Sequence, residues 1–227
     1  MNTARIAAVL EPFLESSLSQ SQLDQISTYI DLLLRWNARI NLTAIRKEEE
    51  IVTRHFGESF FMARHLFSSP CHPERSRVES GAIGPAKSTP SRVLDIGSGA
   101  GFPALPLKIW APQIHLTLIE SNHKKATFLR EVARALTLTD IDVITDRVEA
   151  LASRLASQAD AVTLRAVEHF ETILPQTVPF LVPHGSLALL IGTAQIPKLA
   201  TLTTMKWRSP IPIPQSNTRV LSIGVRE

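Results

Sequence analysis

The sequence predicts an α/β protein in which a doubly wound, mostly parallel sheet follows an N-terminal cap of helices. Amphipathic helical patterns fill the first 67 residues, and from residue 92 onward short apolar runs alternate with helical patterns. A glycine-rich turn follows the first apolar run. We therefore divide the chain into a helical cap over residues 1–67, a flexible insert over 68–91 and a ligand-binding α/β domain over 92–227.

The cap is predicted from three helical patterns. In the second pattern, apolar residues recur at three- and four-residue steps, which places them on one face of a helix. Ser21 followed by Asp24 is typical of a capping box and predicts the start of that helix. The three helices are expected at residues 3–18, 21–39 and about 47–67. They should pack their apolar stripes on the rest of the protein.

The segment 68–91 has the composition of a linker. It is rich in serine, proline, glycine, arginine and glutamate, and it contains almost no apolar residues. Cys71, the single cysteine of the chain, lies within it. One cysteine can form neither a disulfide framework nor a cysteine-based zinc cluster.

Short apolar runs separated by helical patterns predict a parallel sheet. Strands are expected at 92–96, 114–120, 141–145, 160–164 and 187–191, and helices near 103–110, 123–136, 149–156 and 168–182. Two further strand-like runs, 206–209 and 220–225, flank a turn region at 210–217. They predict an antiparallel hairpin at one edge of the sheet.

Composition limits the location and the partners. The chain has 44% hydrophobic and 20% charged residues, enough apolar content for one full-sized core. It shows no run of eighteen uncharged apolar residues and no basic-then-apolar signal pattern, so we expect a cytoplasmic protein without membrane contact. The formal net charge of +3 permits an anionic partner such as RNA.

The glycine-rich turn at residues 97–101 joins the first strand to a helix that begins near Pro103. Open parallel sheets bind ligands at this place, because glycines let a ligand approach the backbone closely. NAD, FAD and S-adenosylmethionine sites all use such a turn, and its spacing does not separate them. Asp95 completes an Asp-x-Gly-x-Gly-x-Gly pattern that resembles motif I of class I methyltransferases. Phe102 and Pro103 leave little room for a pyrophosphate at the helix N-terminus, so we favour S-adenosyl-L-methionine.

Charged residues follow the ends of the later strands. Glu120, after the second strand, is placed to accept hydrogen bonds from both ribose hydroxyls, a role that either cofactor offers. Residues 146–149 follow the third strand, from which this fold usually contacts adenine. Arg165 follows the fourth strand, where class I enzymes place residues facing the transferred methyl group. Each of these could instead be a solvated or structural charge.

The residues after the fourth strand also limit the acceptor. Transfer from a sulfonium is an in-line displacement that depends on positioning, so we expect no metal. Methylation of pyrimidine C5 needs a cysteine nucleophile, and Cys71 lies in the insert. Methylation of an exocyclic amine commonly uses an Asn/Asp-Pro-Pro-aromatic motif, whereas this chain has Leu-Arg-Ala-Val at 164–167. Guanine N7 has no proton to remove and is consistent with the lack of an obvious base.

An ordered set of motifs resembles the glucose-inhibited division protein B family, the 16S rRNA guanine-N7 methyltransferases. The set comprises Trp36-Asn37-x-x-Ile40-Asn41-Leu42-Thr43, Arg54-His55, the glycine turn, Lys124-Lys125-x-x-Phe128-Leu129, Arg147-Val148-Glu149 and Arg165-Ala166-Val167. The resemblance runs from about residue 21 to 192, apart from the insert. It implies a class I methyltransferase with a Rossmann-like doubly wound sheet that uses S-adenosyl-L-methionine, with 16S rRNA or the small ribosomal subunit as its partner.

The resemblance also implies residue roles. Arg165 becomes the candidate catalytic residue, and Asn37, Asn41, Arg54 and His55 become candidates for the RNA-facing or pocket-closing side, unless they only cap helices and pack the cap on the sheet. Gly97, Phe102, Val148, Glu149 and Arg165 match the family's cofactor-binding positions. Asp95 and Gly99, from the glycine-turn pattern, and Glu120, from the end of the second strand, join this cofactor-binding set.

The chain departs from the family pattern at the insert 68–91, which most members would lack, and at three single positions, none of which belongs to the donor-binding set. Glu58 stands where an aspartate is usual, Ala104 replaces a frequent glycine and Ile191 stands where a lysine is common. The alternatives are an NAD(P)-dependent oxidoreductase, a small-molecule methyltransferase and a non-catalytic module that binds S-adenosylmethionine and RNA. We expect a monomer.

Overall fold

A computed structural model describes residues 1–67, 91–166 and 170–227, and the architecture below refers to these residues. They form a helical N-terminal part followed by one mixed sheet with helices on its faces. The helices are α1 (Thr3–Leu10), α2 (Gln20–Asn37), α3 (Glu48–Ile51), α4 (Glu58–Leu66), α5 (Ala104–Trp110), α6 (His123–Ala135), α7 (Val148–Leu151) and α8 (Phe170–Thr177). The strands are β1 (Arg92–Ile96), β2 (His115–Ile119), β3 (Ile141–Ile144), β4 (Ala159–Arg165), β5 (Leu181–Gly192), β6 (Met205–Trp207), β7 (Ile211–Pro212) and β8 (Arg219–Arg226).

The sheet has the strand order β3-β2-β1-β4-β5-β8-β6, with β7 paired to β8. Strands β1 to β5 are parallel, whereas β8 runs antiparallel to β5 and to β6. The order reverses between β1 and β4, which is the position where doubly wound sheets bind ligands. Ile96 at the end of β1 pairs with Ile119 of β2 and Leu164 of β4, so the three strands end at the same edge.

The helical cap and the sheet share one apolar core. Tyr29 of α2 and Phe56 between α3 and α4 are fully buried in the same cluster as Leu116 of β2 and Phe128 of α6. Polar contacts reinforce this packing, because the Gln22 side chain donates a hydrogen bond of 3.0 Å to the carbonyl of Ile109. The cap therefore lies directly over the helices that flank β1 and β2.

The chain between α3 and α4 is π-helical over Val52–Gly57, so the predicted helix 47–67 is interrupted at its centre. π-Helical turns are rare and occur frequently at functional sites. This one carries Arg54 and His55, two of the candidate site residues.

Two helix boundaries differ from the sequence prediction for identifiable reasons. The capping box of α2 is formed by Ser19 and Gln22, rather than by Ser21 and Asp24, so the helix begins at Gln20. Helix α1 ends at Leu10 instead of residue 18, because a 3-10 turn that contains Pro12 follows it.

The predicted strands agree closely with those observed, apart from β5. Strand β5 spans Leu181–Gly192, whereas the sequence predicted residues 187–191. The extra residues follow α8, which ends at Thr177 rather than near residue 182. The predicted edge hairpin corresponds to β6 and β8.

The predicted flexible insert at 68–91 lies outside the described residues, except for Ser91. The Ser91 hydroxyl donates a hydrogen bond of 2.7 Å to the Asp160 carboxylate, which anchors the start of β1 to β4. The division into cap, insert and α/β domain stays a prediction. In the described part of the chain, no helix is both long and apolar enough to cross a bilayer.

Candidate active site

A cavity of about 840 Å³ opens at the carboxyl edge of the sheet, next to the point where the strand order reverses. This volume is in the range of pockets that hold a nucleotide-sized ligand. Its wall comes from the glycine turn and Phe102, the end of β2 at 119–122, the turn at 146–149, the end of β4 at 165–166, and the cap at 42–44 and His55. The structure therefore brings most of the predicted site residues to one place.

The glycine turn forms the floor of this cavity. Gly99 has φ of +55° and Gly101 has φ of +86°, a left-handed backbone that other residues rarely adopt. At Gly99 a Cβ would meet only the Gly97 carbonyl oxygen, at 3.7 Å, so this position is open. At Gly101 a Cβ would overlap the Tyr29 hydroxyl and lie 2.6 Å from Leu105 Cδ1. Gly101 is needed for packing against the cap, whereas Gly99 faces available space.

Glu120 is a fixed carboxylate on the cavity wall. It is buried, and its Oε2 accepts a hydrogen bond of 2.8 Å from the Gly99 amide. Its Oε1 accepts one of 2.8 Å from the Asn122 amide. Each carboxylate oxygen has a second lone pair, so Glu120 can still accept hydrogen bonds from two neighbouring hydroxyls of a ligand.

Asp95 was expected to contact the cofactor, but its side chain is not among those that line this cavity. Asp95 lies opposite Thr163 in the β1–β4 register and accepts a hydrogen bond of 2.6 Å from the Thr163 hydroxyl. Burial raises the pKa of the Asp95 carboxyl group to about 7. Its side chain turns toward β4, so it supports the strand beneath the glycine turn.

The turn after β3 gives the cavity an apolar side. Val148 is buried and lines the cavity together with Ile119 of β2 and Ile96 of β1. Glu149, beside it, is exposed at the rim. An apolar wall with a polar rim is suited to a flat heterocycle.

Three aromatic rings connect the cap to the glycine turn. Phe102 is stacked between Tyr29, at 5.1 Å between ring centroids, and His55, at 4.5 Å. The His55 Nε2 and the Thr43 hydroxyl are hydrogen-bonded at 2.8 Å. Stacked aromatic pairs stabilise by about 0.5–1.5 kcal/mol beyond burial, so this stack fixes the cap over the turn.

His55 is neutral in the folded protein. Burial, together with the charges of Arg165, Arg54 and Arg219, lowers the pKa of its imidazole to about 2. Such a weak base cannot remove a proton from an acceptor at neutral pH. His55 therefore acts through stacking and hydrogen bonding.

Because of His55, we expect the free energy of unfolding to decrease as the pH drops below about 6.5. The imidazole has a pKa near 6.5 in the unfolded chain and about 2 in the fold, so between these values the unfolded chain binds one more proton. This contribution is complete above pH 6.5 and is lost progressively as the pH falls. Between about pH 7.5 and pH 5 it amounts to about 2 kcal/mol.

Chemical denaturation of the wild type and of His55→Phe at these two pH values measures this contribution. Phenylalanine can still stack on Phe102 but cannot titrate, so the stability of the variant should depend less on pH. Asp95 has the opposite effect between about pH 4 and pH 7, because its raised pKa makes the folded protein bind the extra proton. It is present in both proteins and cancels in the comparison. Equal pH dependence in the two proteins would contradict a buried neutral His55.

Arg165 lines the cavity and forms an ion pair with Glu58. Its Nη2 lies 3.1 Å from Glu58 Oε2 and donates a hydrogen bond of 2.7 Å to the Arg54 carbonyl. Glu58 is buried and also forms ion pairs with Arg219 and, at 3.4 Å, with Arg54. Burial raises the pKa of the Glu58 carboxyl group, and the three guanidinium groups oppose this rise.

Asn37, a candidate for the RNA-facing or pocket-closing side, uses its side-chain amide within the protein. It is buried, and its Oδ1 accepts hydrogen bonds from the amides of Leu42, at 2.9 Å, and Thr43, at 3.1 Å. Its Nδ2 donates a hydrogen bond of 2.9 Å to the Thr43 carbonyl. It therefore fixes the turn after α2, whereas Asn41 in the same turn is exposed.

Two site residues, Tyr29 and Arg219, were not identified from the sequence. Tyr29 is the single tyrosine of the chain, and its spacing from Ile26 and Leu33 places it on the buried face of α2. That spacing shows burial but not the hydrogen bond of 2.5 Å that its hydroxyl donates to the Ala100 carbonyl. Arg219 begins β8, the last strand in the described residues, and no local signal connects it to Glu58 of the cap.

Comparison with known proteins gives a consistent result. A family model described as rRNA small subunit methyltransferase G matches residues 22–71 and 78–207. A protein of that name from Roseiflexus castenholzii is 42% identical over 178 residues, covering 74% of this chain and 68% of its own length. The protein of that name from Roseiflexus sp. is 36% identical over 216 residues, covering 91% of this chain and 84% of its own length. A Streptococcus pyogenes protein of that name is 37% identical and covers 78% and 68%.

Among solved structures, TYW2 of Pyrococcus horikoshii in complex with MeSAdo is similar in fold. The TM-score is 0.51 at 14% sequence identity, covering 60% of this chain and 57% of the other. At this identity the likeness concerns the fold alone.

Proposed function

Because the chain belongs to the rRNA small subunit methyltransferase G family, we propose that it transfers a methyl group from S-adenosyl-L-methionine to N7 of a guanine in bacterial 16S rRNA. The family confirms the resemblance found in the motifs and makes the chain an S-adenosylmethionine-dependent rRNA methyltransferase. Neither an NAD(P)-dependent oxidoreductase nor a small-molecule methyltransferase is favoured. The N7 position, the residue roles and the monomeric, cytoplasmic state are our proposals.

The choice of guanine N7 as the acceptor atom rests on the protonation states of the titratable side chains that line the cavity. His55 is the histidine on the described cavity wall, and with a pKa of about 2 its imidazole cannot act as a base at neutral pH. Glu120, on the same wall, accepts hydrogen bonds from two backbone amides. An exocyclic amine needs a group that accepts its proton, whereas guanine N7 presents an in-plane lone pair.

The described residues fit the donor. Glu120 would accept hydrogen bonds from the ribose hydroxyls, and Val148 would pack on the adenine. Glu149 lies at the cavity rim beside Val148. Gly97, Gly99 and Phe102 lie on the wall where the remainder of the donor would be held. When bound, the donor supplies a methyl group already activated by its sulfonium, so the protein has to bind, orient and exclude water.

We assign the acceptor side of the cavity to Arg165, His55, Arg54 and Asn41. Methylation at N7 leaves the purine with a positive charge, so Arg165 cannot act by stabilising the product. Its planar guanidinium group can donate two parallel hydrogen bonds to oxygen atoms, such as guanine O6, a carboxylate or a phosphate. These bonds can fix the angle at which N7 approaches the methyl group. Burial lowers the pKa of Arg165 only to about 10, so it stays charged at neutral pH.

Replacing Glu120 with alanine should weaken adenosine binding by about 1–3 kcal/mol, because a charged acceptor is removed from two hydroxyls. Calorimetry with adenosine measures the loss, and 2′,3′-dideoxyadenosine is the matched control ligand. The control should bind both proteins equally. An equal loss with both ligands would show that Glu120 acts only through its bonds to the turn.

Transfer of a labelled methyl group tests the function itself. Purified protein is incubated with labelled S-adenosylmethionine and small ribosomal subunits from a strain that lacks the modification. Label should enter 16S rRNA, and calorimetry should detect binding of S-adenosylhomocysteine but not NADH. Donor binding without label in RNA would instead indicate a binding module or a small-molecule acceptor.

A further inference from the structure

Positive charge exceeds negative charge beside the acceptor end of the cavity. Within the described residues, the guanidinium groups of Arg54, Arg165 and Arg219 share the carboxylate of Glu58. The Glu58 side chain is only 2% exposed, whereas those of Arg165, Arg219 and Arg54 are 9%, 19% and 41% exposed. Three positive charges against one negative charge leave an excess of two.

The surrounding groups do not remove this excess. His55 is neutral, and Asp95, the other acid that interacts with Arg165, has a pKa of about 7, so near neutral pH it offsets only part of the excess. The Arg165 Nη1 is buried and makes no hydrogen bond to any residue in the described ranges. Arg165 and Glu58 are largely out of water, where charges are stable only when paired, and Glu58 is shared with two further guanidinium groups. The cluster is therefore suited to an additional anion.

The position of the three arginines indicates where that anion comes from. Arg165 belongs to the cavity wall, whereas Arg54 and Arg219 lie outside the wall and reach solvent. A ligand contained in the cavity would meet Arg165 alone. A nucleotide whose base enters the cavity keeps its phosphate outside, where it can reach the other two guanidinium groups.

We propose that Arg54, Arg165 and Arg219, gathered by Glu58, form a subsite for an oxyanion of the acceptor, a backbone phosphate next to the target nucleotide. The proposal rests on the proposed rRNA substrate and adds a docking contact to it. Guanidinium forks match phosphate oxygens in pairs, and the shared carboxylate keeps the forks close together. Arg219 also gives the antiparallel strand β8 a part in the site.

The salt dependence of RNA binding tests this subsite without turnover. Affinity of the S-adenosylhomocysteine-loaded protein for 16S rRNA is measured over a range of salt concentrations for the wild type, Arg219→Gln and Arg54→Gln. Each variant should bind about tenfold more weakly near physiological salt, and its slope of log affinity against log salt should decrease by about 0.7–0.9. Arg219→Lys should keep most of the slope, because it keeps the charge.

Arg134→Gln is the matched control. Arg134 is exposed at the far end of α6, about 18 Å along the helix from Asn122 at the cavity. Its slope and affinity should equal those of the wild type. Unchanged slopes in Arg219→Gln and Arg54→Gln would overturn the proposal while leaving the methyltransferase function intact.

A donor carboxylate is the competing oxyanion. Calorimetry with S-adenosylhomocysteine and with 5′-methylthioadenosine, which lacks the carboxylate, separates the two sources. Both ligands should bind Arg219→Gln as they bind the wild type. A loss confined to S-adenosylhomocysteine would assign the cluster to the donor and overturn the phosphate subsite. If the wild type does not label rRNA at all, the proposed function fails instead.

Discussion

Replacing Arg165 with lysine should lower the single-turnover methylation rate about a hundredfold while the protein stays folded. Lysine keeps a positive charge beside Glu58, so the buried carboxylate retains its three cationic partners. It offers a point charge without the planar fork, so it cannot hold two acceptor oxygens in one plane. The reacting atoms would then be slightly misplaced, and a small misplacement produces losses of this size.

Rapid-quench measurement with saturating donor and 16S rRNA gives the single-turnover rate. Arg165→Ala should lose at least as much activity, and the remote exchange Arg134→Lys should lose none. A near-normal rate in Arg165→Lys would exclude the fork geometry. A near-normal rate in Arg165→Ala would remove this residue from the reaction altogether.

The exchange Gly101→Ala should destabilise the protein by about 3 kcal/mol. Placing a side chain on the left-handed backbone at Gly101 costs about 1–2 kcal/mol of stability. The added methyl group also overlaps the Tyr29 hydroxyl and approaches Leu105 Cδ1, and overpacking of this kind costs a further 1–3 kcal/mol or so. The cap would have to move away from the glycine turn.

Gly99→Ala is the matched control, because it has the same type of backbone without the overlap. Denaturant unfolding should show a loss of about 1 kcal/mol for that variant. In a Tyr29→Phe background, where the hydroxyl is absent, Gly101→Ala should be less destabilising than in the wild type. Equal losses at Gly99 and Gly101 would mean that contact with the cap is not what requires glycine at residue 101.

The parallel sheet could be predicted because its strands are local patterns. Apolar runs bounded by helical patterns identify β1 to β4 to within one residue at each end, and the glycine turn locates the edge where ligands bind. Capping is less certain from sequence, since the segment before α2 offers several serines and the choice of Ser19 depends on the Gln22 side chain.

The directions of the side chains in the site were harder to predict from the sequence than the strands. Asp95 fits a family of strand-end acids, yet it turns toward Thr163 in the neighbouring strand. Asn37 fits an exposed polar position, yet its amide is used by the backbone of the next turn. Tyr29 and Arg219 act through partners 71 and 161 positions away, Ala100 and Glu58, and a local pattern contains no information about such pairs.

The position of the methyl group on the RNA tests the central claim most directly. Small subunits that lack the modification are methylated with the purified protein, and the 16S rRNA is treated with borohydride and aniline, which cleave the strand at 7-methylguanine. We predict a single new cleavage at one guanine, dependent on S-adenosylmethionine and lost in Arg165→Ala. Methyl label in the rRNA without such a cleavage, or on a base other than guanine, would contradict the assignment to guanine N7.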